Sequence, residues 1–127
     1  FEQAKNIFKD EIVQWGYTGS FDEYAEWLWK ADILPVTSNQ EFFGASVMEA
    51  IYCDTWPILP VRLTYPELIP KKNHKKHLYK DESELYKKII WTIQNYKKIR
   101  KTNLSAIAFQ FDWKAMAPIY DKVMNSI

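Results

Sequence analysis

Two carboxylates, Glu41 and Glu49, stand eight residues apart on either side of a glycine, Gly44. A glycine opening a helix lets a ligand approach the backbone closely. The unpaired amides of residues 43–46, together with the helix dipole, then form an anion site suited to phosphate. Glu41 falls in the loop before that helix and Glu49 inside its second turn. One ligand touching both carboxylates needs a polar group on each side of its phosphates. A nucleotide-sugar has that shape, with sugar hydroxyls at one end and ribose hydroxyls at the other. The pair alone is a weak signal, because a solvated loop residue and an exposed helix residue look the same in sequence.

Other reactive side chains read more plainly. The basic run at 71–77, with six positive or imidazole groups besides Asn73 in its Lys-Lys-Asn-His-Lys-Lys-His order, could touch an RNA phosphate backbone. It lacks interleaved aromatics, and such runs are frequent, so a solvated surface loop is the favoured reading. His74 and His77 have no carboxylate or thiol partner nearby in sequence, so no metal site is read from them. Cys53, the single cysteine, excludes an internal disulfide framework and a cysteine-based zinc site, and suits a small buried hydrophobe. A reducing, cytoplasmic setting is the simple expectation. Trp27, Trp29, Trp91 and Trp113 read as core or domain-interface anchors rather than stacking platforms.

These groups need a scaffold, and the composition supplies one. Across 127 residues, 47% are hydrophobic and 17% aromatic, far too apolar for a disordered chain. No apolar run approaches the roughly 18–20 residues of a membrane-spanning helix. Seventeen basic against sixteen acidic residues leave a net charge of +1, which excludes a global electrostatic grip on nucleic acid or acidic lipid but not a local patch. Phe1, Ala4, Ile7 and Phe8 have the spacing of a short helix with one buried stripe. Apolar runs at 12–15, 33–37 and 56–61, and a short one at 78–79, predict strands; Pro35 is an awkward member because it donates no ladder hydrogen bond. Ser20 followed by Glu23, and Asp81 followed by Glu84, predict capped helix starts at about 21 and 82. The second helix is expected to turn Leu85, Ile89, Ile93 and Tyr96 inward. A helix is expected over about 44–53, a short one over 103–109, and a last one capped by Asp112 with Trp113, Met116, Tyr120 and Met124 on its apolar side. Strands alternating with single helices cannot pair as tight hairpins. They imply crossovers and a Rossmann-like parallel sheet with helices on both faces, an α/β fold. In such a sheet ligands bind beyond the carboxyl ends of the strands, where residues 38–49 fall.

The run from Glu41 to Ala50 resembles the glutamate, seven residues, glutamate motif of retaining GT-B glycosyltransferases of family 4. A narrower set, Glu41 to Gly44, Met48 to Ala50, Tyr52, Cys53, Pro57, Pro60, Leu63, Tyr65 to Glu67 and Pro70, is similar to the tRNA-queuosine alpha-mannosyltransferase group within it. The resemblance implies that residues 1–127 are a donor-nucleotide-sugar-binding C-terminal domain, truncated at its N-terminal side. It implies a catalytic Glu41 contacting the hydroxyls of the transferred sugar. Backbone at Phe43, Gly44 and Ala45 would hold sugar or phosphate oxygens. Val47 would lie along the ribose–phosphate side, Glu49 would bind the ribose, and Trp15, Gly16 and Tyr17 fall where the family holds the base. The implied donor is GDP-mannose with no metal and no other cofactor. The implied partners are an N-terminal domain of the same chain and tRNA as acceptor.

The sequence departs from the family at three places. Asp54 stands where many relatives carry glycine, and Val61 to Thr64 replace the paired glycines of the loop after the next strand. The Arg/Lys pair that neutralises the leaving diphosphate belongs to a strand expected before Phe1. Neither Arg62 nor Arg100 has its position. Two other readings stay open: a family 4 transferase acting on a glycan or lipid acceptor, and a non-catalytic α/β interaction or RNA-binding module.

Overall fold

The computed structural model describes residues 2–126. Phe1, placed by its spacing on the stripe of the first helix, lies outside the described residues. The chain runs α1 (Glu2–Ile7), α2 (Phe21–Lys30), β1 (Ile33–Pro35), α3 (Ala45–Tyr52), β2 (Trp56–Pro60), α4 (Tyr65–Leu68), α5 (His74–His77), β3 (Leu78–Tyr79), α6 (Glu82–Gln94), α7 (Tyr96–Ile99), α8 (Ser105–Ala108) and α9 (Trp113–Met124). Single 3-10 turns at Lys71–Asn73 and Phe109–Phe111 lead into α5 and α9.

Three strands form a parallel sheet in chain order β1-β2-β3, with Ile33 opposite Trp56 and Leu59 opposite Leu78. Every residue of β2 is buried. Successive strand side chains point to opposite faces, so both faces of the sheet are covered. This is the Rossmann-like α/β arrangement the alternation of elements predicts. The core gathers Val47, Met48 and Ile51 of α3, Ile58 and Leu59 of β2, Tyr65 and Leu68 of α4, and Leu104 and Ile107 around α8.

The prolines sit where the ladder does not need their missing donors. Val36 N–H donates to Ile58 O at 3.0 Å, so the alternate residue Pro35 turns its nitrogen to the outer edge of β1. Within β2, Pro57 O accepts from His77 Nδ1, on the β3 side but before β3 begins. Pro60 faces β1 beyond the end of that strand.

Three expectations fail. Residues 12–15 form no strand, because Glu11 and Ile12 N–H donate back to Phe8 O and continue the turn that ends α1. With no strand to cover it, α1 buries none of its residues, and Ile7 and Phe8 are exposed. On α6 the inward face is Leu85, Ile89 and Thr92, while Ile93 and Tyr96 face out. The helix ends at Gln94, and Asn95 re-aims the chain so that Ile99 of α7 enters the core instead. Helix α9 begins at Asp112 as its sequence predicts, the carboxylate accepting from Lys114 N–H at 2.7 Å. On its apolar side Trp113, Tyr120 and Met124 stay exposed and Met116 is only half-buried.

Candidate functional site

The loops after β1 and β2 share the carboxyl edge of the sheet. Arg62 joins them: its Nη2 donates to Thr37 O at 2.8 Å and Ser38 O at 2.9 Å, and its Nε to Ser38 O at 3.1 Å. A guanidinium presents its donors in a rigid fork, which suits two consecutive carbonyls. The chain reaches Glu41 from this anchored point. Thr64 Oγ1 adds a longer bond to Phe43 O at 3.4 Å.

Gly44 is the N-cap of α3, in the left-handed region at φ 86°, with no side-chain cap of its own. Glu41 binds the amide of the cap residue itself rather than the first helical amides. Its Oε1 accepts from Gly44 N–H and from Phe42 N–H, each at 2.9 Å. The Gly44 amide is therefore not open to a ligand, which corrects the expectation of free amides from residue 43 onward. The first helical amides, those of Ala45, Ser46 and Val47, precede the first intrahelical bond, which Met48 N–H makes to Gly44 O. One oxygen of Glu41 is thus fixed by two backbone donors, and its second oxygen is left for other partners. The side chain of Val47 is buried in the core, so this residue can offer a ligand only its backbone.

Glu49, one and a half turns into α3, turns toward α2. Tyr24 Oη–H donates to Glu49 Oε2 at 2.7 Å. Partial burial, then the bond to this carboxylate, push the Tyr24 phenol up to about 12, so it stays a donor throughout the physiological range. Tyr24 and Glu49 line an apolar groove of about 400 Å³ between α2, α3 and the 109–112 segment. Phe43 and Ala45 also line it. Phe111 packs edge-on against Phe43 at 5.5 Å and Phe109 against Tyr52 at 5.7 Å, so distant chain segments close one side. Cys53 lies half-buried in the same lining, where burial pushes its thiol up and away from the reactive thiolate.

The structure therefore brings Phe43, Ala45 and Glu49 to one groove and Glu41 onto Gly44 beside it. Glu41 does not line that groove, nor do Trp15, Gly16 and Tyr17. Trp15 lies under the Lys5 ammonium at 5.6 Å, Gly16 turns at φ 82°, and Tyr17 is 102% exposed. Arg62, Tyr24 and Thr64 were not legible from spacing, because each acts on residues more than twenty positions away.

Two departures from the family pattern resolve into geometry. Asp54 takes the left-handed conformation at φ 61°, and its Oδ1 accepts from Leu104 and Ser105 N–H at 2.7 and 2.8 Å. An aspartate thus performs the turn while capping the start of α8. Leu63, in the loop where paired glycines are often found, sits at φ 55°. Arg100 pairs with Asp32 at 3.3 Å, before β1 and away from the carboxyl edge.

The two histidines of the basic run are structural. His74 Nε2 lies 2.7 Å from Ile69 O, and His77 Nδ1 2.9 Å from Pro57 O with its ring 4.4 Å from that of Trp56 and tilted by 39°. Burial holds the His77 imidazole below the ordinary histidine range. Among the described residues no three His, Cys, Asp or Glu side chains gather as a metal site, and no helix is long and apolar enough to cross a membrane.

Fold and site together define an α/β chain with an acidic residue clamped on a helix start at the carboxyl edge of a parallel sheet. No protein-family model matches it, and no solved structure matches it significantly. Over 129 aligned positions it is 36% identical to the tRNA-queuosine alpha-mannosyltransferase of Drosophila melanogaster, across 98% of this chain and 33% of that protein. The chain is thus homologous to that mannosyltransferase while spanning about a third of its length.

Proposed function

We propose that this chain is the donor-binding C-terminal part of a retaining GT-B glycosyltransferase of family 4, and that the whole protein transfers mannose from GDP-mannose to queuosine in tRNA. The observation that carries the reading is the 36% identity over 98% of the chain to a tRNA-queuosine alpha-mannosyltransferase. The geometry around α3 fits it. As the sugar–phosphate bond breaks, negative charge grows on the departing GDP, and the amides of Ala45, Ser46 and Val47 with the helix dipole stabilise that charge without a metal. Glu41, held by Phe42 and Gly44 N–H, offers its second oxygen to the mannose hydroxyls. Glu49, held by Tyr24, offers its carboxylate to the ribose. The family's cationic pair for the diphosphate belongs to the first strand of this same C-terminal domain, and an N-terminal domain closes over the donor, excluding water. The protein works in the cytoplasm.

The full-length protein incubated with GDP-mannose and queuosine-bearing tRNA is expected to yield a mannosylated nucleoside, read by mass spectrometry after nuclease digestion. Transfer to a glycan or lipid instead would reject the acceptor and keep the donor. An intact full-length protein that binds neither GDP nor GDP-mannose in calorimetric titration would reject the reading altogether.

A further inference from the structure

At the opposite end of the sheet lies a second surface of different chemistry. Trp56 opens β2 and His77 immediately precedes β3, so both stand at the amino edge of the sheet, away from Glu41 and Gly44. They line a cavity of about 410 Å³ together with Trp91, Lys72, Lys76 and Lys98, and no carboxylate is in its lining. An adjoining recess is lined by Lys75, Lys76, Lys87, Lys88 and again Trp91. The aromatics that the 71–77 run lacks in sequence are thus supplied by β2 and α6.

Three observations define what this surface can hold. Lys72, Lys75, Lys76, Lys87 and Lys98 make no ion pair among the described residues. The chain as a whole carries only +1, so their positive charge is segregated rather than general. Lys88 is different: its Nζ donates to Lys75 O at 2.6 Å, which fastens α6 to α5 and fixes the lysines around it. Trp91 is 40% exposed at the boundary of the two recesses, 6.1 Å from Trp56. The Trp56 indole N–H, in a residue 4% exposed in the cavity wall, has no hydrogen-bond partner. A buried donor without a partner is costly, and an acceptor entering the cavity would relieve it.

We propose that this face docks single-stranded RNA, with an unpaired base entering against Trp91 and the phosphates lying along Lys72, Lys75, Lys76, Lys87 and Lys98. Unstacked bases are held on aromatic side chains, while flanking cations track the backbone. A concave, aromatic-floored recess suits a base better than it suits a flat membrane surface, and the cationic rim calls for a regularly charged polyanion. Binding here needs neither the donor nor the transfer step, so it goes beyond the catalytic reading and is tested without GDP-mannose.

The test is fluorescence anisotropy of the full-length protein with a labelled single-stranded RNA of about 12 nucleotides, its duplex and a tRNA, titrated between about 50 and 200 mM salt. With three to five phosphate contacts, the single strand is expected to bind with a log–log salt slope of about −2 to −3.5. The K72Q/K76Q/K98Q variant, changed only at exposed positions, should flatten that slope by about 2. Trp91→Ala should weaken binding about 5- to 150-fold, and Trp91→Phe should recover most of it. All these variants should bind GDP as the parent does, which separates loss of the RNA face from loss of the donor site. The proposal is overturned if the parent does not bind RNA at the lowest salt, or if the triple variant keeps the parent's affinity and slope. Equal binding of the duplex and the single strand would overturn the placement of a base on Trp91. If Trp91→Ala fails to fold, the exposed lysine variant and the duplex comparison still decide.

Discussion

Replacing Gly44 by alanine tests the link between backbone conformation and the site. Gly44 has φ 86°, and a Cβ built on it would lie 2.6 Å from Leu68 Cδ1. Leu68 is itself buried, so its methyl group cannot swing into open space. Holding alanine in the left-handed region costs about 1–2 kcal/mol. Forcing the methyl against a packed leucine adds about 1–3 kcal/mol. Loss of the glycine's freedom in the unfolded chain returns about 0.4–1 kcal/mol. The net expectation is a loss of about 1–4.6 kcal/mol. Hydrogen exchange at the buried Ile58 and Leu59 amides of β2 measures it in the full-length protein, since such central amides open only with the whole unit. A double-mutant cycle with Leu68→Ala isolates the clash: in that background the cost of Gly44→Ala should fall by about 1–3 kcal/mol. The same substitution shifts the N–H that Glu41 binds, so GDP affinity should drop with it. A Gly44→Ala cost below about 0.5 kcal/mol, or the same cost in both Leu68 backgrounds, would refute the reasoning.

Tyr24→Phe removes the donor that holds Glu49 and should weaken GDP binding about two- to tenfold in calorimetry, less than Glu49→Ala does, with little change in fold. Asp54→Gly relieves the left-handed strain but frees the Leu104 and Ser105 amides. Chemical denaturation should show a net loss of about 1–3 kcal/mol, and a gain in stability would mean the two bonds count for nothing. His77 is buried neutral, with its pKa lower in the folded than in the unfolded chain, so the unfolded state binds more protons as pH falls. Its contribution is constant above the unfolded value near 6.5 and is lost below it, by up to about 1.4 kcal/mol per pH unit. His77→Phe should therefore flatten the fall in melting temperature between about pH 7 and 5 relative to the parent; an unchanged profile would assign that fall to other groups.

What could be read from the residues alone was local. Ser20 Oγ accepts from Glu23 N–H at 3.2 Å and Asp81 Oδ1 from Glu84 N–H at 2.9 Å, as their spacing predicts. The return bonds from the third helical residue's carboxylate fall not on the cap residue's own N–H but on the one before it, from Gly19 N–H to Glu23 and from Lys80 N–H to Glu84. The parallel sheet followed from the order of elements, and the short β3 from two apolar residues after the basic run. The inward face of α6 did not follow. The alternation Leu85, Ile89, Ile93 continues a perfect stripe on paper, but the core meets the helix at Thr92, whose hydroxyl is satisfied by donating to Lys88 O at 2.7 Å. A polar residue that satisfies itself within the helix can be buried at little cost, which hydropathy patterns do not register.

For the site the division is similar. Spacing located Gly44 as a helix start with a carboxylate before it and another within, because those relations lie within ten residues of chain. Distance along the chain hid the rest: Arg62 gripping the Thr37 and Ser38 carbonyls, Tyr24 holding Glu49, and Trp56 and Trp91 meeting the lysines of 71–77. Sequence by itself determined the alternation of elements, the caps and the segment that carries the chemistry, since each depends on backbone preferences and contacts within a turn or two. Tertiary structure alone decided which oxygen of Glu41 is occupied, which way Glu49 faces and where the positive charge collects. Those outcomes depend on which distant groups packing brings within hydrogen-bonding range, and no local preference encodes them.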